Sequence, residues 1–150
     1  MVDLERLKRV DKDAGTDVLQ VWLFDLPELS YLASIEIVRQ QNLLTKLETA
    51  KECYARDLLL TVEGKTREQR EAQVQKELEK NTAFLDLQVN IMEQTEKLET
   101  LKAQRKYYDD MFRVVKDELY FRKRMRELAL NKEIKKEAAE SFGGPIRQEN

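Results

Sequence analysis

The hydrophobic positions of this chain fall into two long periodic stretches separated by helix breakers. Pro27 and Gly64 bracket 36 residues (28–63) without Gly or Pro, and Gly64 and Gly143 bracket 78 more (65–142). Keeping both breakers out of such lengths predicts helices. Asp25-Leu26-Pro27-Glu28 offers a polar cap, a first-turn proline and an early acid, so the first long helix is expected to run from 28 to 62. Gly64 is expected to cap its end and turn the chain, and Thr66-Arg67-Glu68-Gln69 has the form of a capping box that starts the next helix. Asn81-Thr82 is the one polar, helix-averse pair in the second stretch. It predicts a short helix over about 66–79 and a long one from 82 to about 139.

The last helix carries a 3-4 repeat: Phe84, Leu87, Ile91, Gln94, Leu98, Leu101, Arg105, Tyr108, Phe112, Val115 and Leu119. Only Gln94 and Arg105 interrupt its apolar character, as expected of a coiled-coil seam. A second stripe, Tyr107, Met111, Val114, Glu118, Phe121, Met125 and Leu128, makes the helix apolar on two faces. Helix 28–62 would be about 52 Å long and helix 82–139 about 87 Å, at roughly 1.5 Å per residue. Paired from the corner, the longer one overhangs by roughly 35 Å over residues 117–139. Either Val18–Leu26 folds back to cover it, or a second copy of the chain does, or both. Val18–Leu26 (VLQVWLFDL), the most apolar stretch, fits a helical turn or a strand equally well. Ahead of it Leu4, Leu7 and Val10 suit a short helix, and Gly15 ends it or loosens the chain.

These patterns predict an all-α fold, a long helical hairpin or coiled coil that oligomerises. Its parts would be an N-terminal docking segment (1–26), the hairpin (27–140) with its corner at Gly64 and a break at 80–82, and a disordered tail (141–150). The oligomer and core seam comprises Phe84, Leu87, Ile91, Leu98, Leu101, Tyr108, Phe112, Val115 and Leu119.

Composition agrees and narrows the function. Charged residues make up 37% of the 150, with only 4 Gly and 2 Pro, which suits long helices and excludes a turn-rich sandwich or barrel. The absence of His removes catalytic triads, zinc fingers and imidazole bases. The single Cys53, with no catalytic base beside it, reads as an idle thiol in a reducing compartment. The paired Asp109-Asp110 reads as a solvated face, because long helices without loops offer no cleft where carboxylates converge. No metal, cofactor, small-molecule substrate or enzymatic activity is therefore expected. No apolar run approaches the roughly 18 residues of a membrane span, and MVDLERLKRV lacks a signal-peptide core. The expected location is the cytoplasm.

Charge does single out one region. The chain as a whole is −2, yet residues 102–136 hold twelve Lys or Arg against six acids, a local +6 that leaves the remainder at −8. Within it Tyr120-Phe121-Arg122-Lys123-Arg124-Met125-Arg126 mixes cations with aromatics. That mixture suits a single strand of nucleic acid, whose bases stack and whose phosphates need neutralising. The candidate contact residues are Lys102, Arg105, Lys106, Tyr107, Arg113, Lys116, Tyr120, Arg122, Lys123, Arg124 and Arg126, with Tyr108 a further ring for stacking. A symmetric oligomer would multiply the patch.

The layout also resembles a known family. Leu43-x-x-x-Leu47-x-x-Ala50-Lys51-x-x-Tyr54, the corner Glu63-Gly64-Lys65-Thr66, Arg70-Glu71-Ala72 and Leu98-x-x-Leu101-Lys102-x-x-Arg105 are similar to the UvsY-type recombination mediators of tailed bacteriophages, over about residues 28–130. The resemblance implies an oligomeric single-stranded-DNA-binding protein that helps load a RecA-like recombinase in the host cytoplasm. The overall acidic charge departs from the basic bias of that family. The alternative is a helical-hairpin scaffold or a prefoldin-like assembly chaperone with no nucleic-acid binding; the Glu63–Thr66 corner has no strand pattern for prefoldin's β-hairpins.

Overall fold

The structure, a computed structural model, describes residues 14–142. It has three helices, α1 (Thr16–Thr61), α2 (Arg67–Lys80) and α3 (Thr82–Phe142), of 46, 14 and 61 residues, and no strand among the described residues. The fold is all-α, and among the described residues no helix is long and apolar enough to cross a membrane. The expected helix through Leu4, Leu7 and Val10 lies outside the described residues; of the expected tail 141–150, Ser141 and Phe142 belong to α3 and the rest lies outside them as well. The chain divides into two compact units, which the described parts 14–27 and 109–142 of one and 28–108 of the other make up.

In the larger unit, α1 and α3 pack antiparallel. Ile37, Leu44 and Leu98 form a buried cluster with Ile91 and Leu101 against it. Gln94, the first polar interruption of the seam, is satisfied there. The Gln40 side-chain amide donates to Gln94 Oε1 at 2.6 Å and to its backbone carbonyl at 3.0 Å. Near the corner Val74, Leu78 and Phe84 form a second cluster, packed by Tyr54, Ala55, Leu58, Leu59 and Val62. This is how the short α2 earns its place: its two buried side chains, Val74 and Leu78, plug the corner end of the hairpin.

Local chemistry sets the boundaries. Thr66 adopts an extended backbone (φ −119°, ψ 157°) and its hydroxyl accepts from the Gln69 amide at 3.2 Å, which starts α2. Asn81 closes α2 and opens α3. Its N–H donates to the Leu78 carbonyl, its Oδ1 accepts from the Phe84 N–H at 3.1 Å, and its Nδ2 donates to the Tyr54 hydroxyl at 2.6 Å. The corner departs from expectation in one respect. Gly64 lies three residues beyond the end of α1, and no described glycine has positive φ. A Cβ on Gly64 would meet Arg70 Cγ at 2.8 Å and the Arg70 backbone nitrogen at 3.3 Å, so close approach, not a left-handed cap, favours glycine here.

The larger correction concerns Pro27. It does not start a helix: α1 begins at Thr16 and runs through Pro27. The Gly15 carbonyl accepts the first helical bonds from Val18 and Leu19, and Asp17 sits favourably in the first turn. A proline inside a helix removes one backbone bond and costs about 3 kcal/mol. Burial offsets this, because Leu19 and Leu26, both in the turns ahead of the proline, are fully buried and each contributes about 1.5–3 kcal/mol. Val18–Leu26 is thus helix. With α3 residues from 109 onward it forms the smaller unit, where Met111 and Val115 are also buried. These N-terminal turns share a unit with the expected overhang but cover only its first part, and residues 123–142 of α3 stay exposed.

Candidate nucleic-acid interface

The basic positions divide between the two units. In the larger one Lys102, Arg105 and Lys106 are exposed, with Lys102 paired to Glu99 at 3.0 Å. Tyr107 is half-buried and Tyr108 is buried, and their rings meet edge to face at 6.2 Å. Both tyrosines are therefore engaged with the protein and offer little ring face for stacking.

In the smaller unit Arg113 pairs with Asp110 at 3.3 Å and Lys116 is exposed. Tyr120, Lys123, Arg124 and Arg126 are exposed as well, Tyr120 at 65%. Arg122 is different. Its side chain is only 18% exposed, its Nε pairs with Glu118 at 3.0 Å, and its Nη1 donates to the Ala14 carbonyl at 2.6 Å. Arg126 Nη2 donates to the Thr16 hydroxyl at 3.0 Å. Two arginines from the basic cluster thus tie the start of α1 to α3. Further along, Lys132, Lys135 and Lys136 are exposed, as is every residue from 123 to 142.

These ties shape a half-open cleft of about 340 Å³. Thr16, Gln20 and Leu23 of α1 line one side. Leu119, Tyr120, Arg122, Lys123 and Arg126 of α3 line the other. The walls are mostly apolar with cations at the edge. Sequence reasoning named Tyr120, Arg122, Lys123 and Arg126, but missed Thr16, Gln20 and Leu23. No local signal marks those three, which lie about a hundred residues from their partners and ahead of the proline mistaken for a helix start.

The nine seam residues are all buried or half-buried: Phe84, Leu98, Tyr108 and Val115 are buried, and Leu87, Ile91, Leu101, Phe112 and Leu119 are half-buried. Arg105, the second interruption of the repeat, is exposed. The second stripe is buried at Met111 but exposed at Val114, Phe121, Met125 and Leu128. Asp109 and Asp110 are half-buried, and among the described residues no three His, Cys, Asp or Glu side chains come together to hold a metal ion. The half-buried Cys53 sulfur accepts from Arg56 Nη2 at 3.1 Å.

No family model matches this chain, and neither a curated protein nor a solved structure does.

Proposed function

We propose that the chain is a non-enzymatic, oligomeric helical binding protein whose basic α3 segment holds single-stranded DNA without base preference. The observation that carries the reading is the exposure of Lys123, Arg124, Arg126, Lys132, Lys135 and Lys136, six cations against Glu127 and Glu133, beside the open rings of Tyr120 and Phe121. Cations neutralise phosphates and ring faces accept stacked bases. The likeness to recombination mediators adds a RecA-like recombinase as the protein partner and a bacteriophage as the source.

The test is binding of a labelled deoxythymidine oligomer by anisotropy at two or more salt concentrations. Affinity should fall with a log–log slope of about −0.7 per phosphate neutralised. Changing Lys123, Arg124 and Lys132 together to Glu should abolish binding while leaving helix content and native mass unchanged. Arg122 stays untouched in this variant, since its bond to Ala14 makes it part of the fold. Undetectable binding by the unmutated protein at about 50 mM salt, where phosphate contacts are strong, decides for the second reading, a helical scaffold. That reading is favoured by the apolar side chains left exposed on α1 and α3.

A further inference from the structure

We infer that the cleft at the start of α1 is the seat for one nucleotide unit of the bound strand, with its phosphate on Lys123 and Arg126 and its base against Leu23, Leu119 and Tyr120. The inference rests on the single-strand reading above and adds a defined subsite that includes α1. The cleft's volume of about 340 Å³ lies in the range of small-ligand sites, roughly 300–1,000 Å³, and its apolar walls with few polar groups have their usual character.

The cations in the cleft have separate roles. Arg122 spends its charge within the protein, on Glu118 and the Ala14 carbonyl, and so braces the wall. Lys123 is exposed at the cleft edge. Arg126 gives one Nη2 proton to Thr16, a bond that orients the guanidinium while its remaining donors stay available for a phosphate. A guanidinium already held in place loses less freedom on binding than a mobile one. Leu23 and Leu119 offer an apolar floor and Tyr120 a ring, which accept any base. Gln20 is the uncharged side chain closest in chemistry to a carboxylate, which makes it the position to probe.

Gln20→Glu places an anion among these cations, to compete with phosphate, without touching α3. Gln41→Glu, an exposed position on α1 outside the cleft, makes the same charge change as a control. With a fluorescein-labelled twelve-residue deoxythymidine oligomer, Gln20→Glu should weaken binding at least tenfold more than Gln41→Glu does. Tyr120→Ala should weaken it roughly 5- to 150-fold, the cost of one lost base stack. Lys123→Glu should lower the salt slope by about 0.7, one phosphate contact. In an oligomer carrying 5-bromodeoxyuridine, light-induced crosslinks should map to Tyr120. Binding that is present but equally tolerant of Gln20→Glu and Gln41→Glu, with crosslinks elsewhere, overturns the cleft and leaves the single-strand reading standing. No binding of any oligomer overturns both.

Discussion

Asn81 shows how much a single side chain decides. It ends one helix, caps the next and holds the Tyr54 hydroxyl across the corner. Asn81→Ala should cost about 1–2 kcal/mol, from the lost cap and the lost partner of Tyr54. Asn81→Ser, which keeps a cap acceptor but cannot reach Tyr54 as a donor, should cost less than the alanine change. Urea unfolding followed by circular dichroism measures both, and equal losses would show that the cap contributes nothing. The break at 80–82 was readable because the residue's preference for caps is local chemistry. Its bond to Tyr54, 27 positions away, was not, because nothing in the helical pattern says which face of the hairpin a tyrosine shares.

Among the elements, α1 is where local rules and the folded chain disagree. Asp25-Leu26-Pro27-Glu28 satisfies every preference of a helix start, yet the helix passes through it. Local preferences are worth about 1 kcal/mol each, while burying Leu19 and Leu26 returns several. Pro27→Ala restores a backbone donor inside a helix and should stabilise the protein. The gain is about 2 kcal/mol after the unfolded chain's added freedom is subtracted. It corresponds to a rise in Tm of roughly 4–8 °C for a chain this size. Differential scanning calorimetry checks the sign, and a lower Tm would mean that the proline is needed where it stands. α3, by contrast, was readable almost from end to end, because its 3-4 repeat and its freedom from breakers point the same way.

At the scale of the molecule, apolar side chains remain exposed on helix faces that the described residues do not cover. In the smaller unit these are Val21 and Phe24 on α1, and Val114, Phe121, Met125 and Leu128 on α3. Exposed apolar surface of this kind favours association, so a homo-oligomer is the expected state in solution. The seam residues Phe112 and Leu119, half-buried within the chain, are poor places to test it, because charge there unfolds the subunit. Phe121→Glu with Met125→Glu should instead lower the native mass by light scattering with helix content intact. A wild-type mass of one chain at micromolar concentration would remove the oligomer altogether.

Fold class, the corner, the α2–α3 break and the apolar seam were all contained in the order of residues. Each follows from backbone preference or from a repeat that one helix expresses on its own. The cation cluster was likewise countable, but its division of labour was not. Arg122 and Arg126 look like their neighbours in the sequence, and only the fold sets them against Ala14 and Thr16. The cleft and the true start of α1 share that origin. Both depend on contacts between segments about a hundred residues apart, whose burial outweighs a proline that local chemistry reads as a boundary.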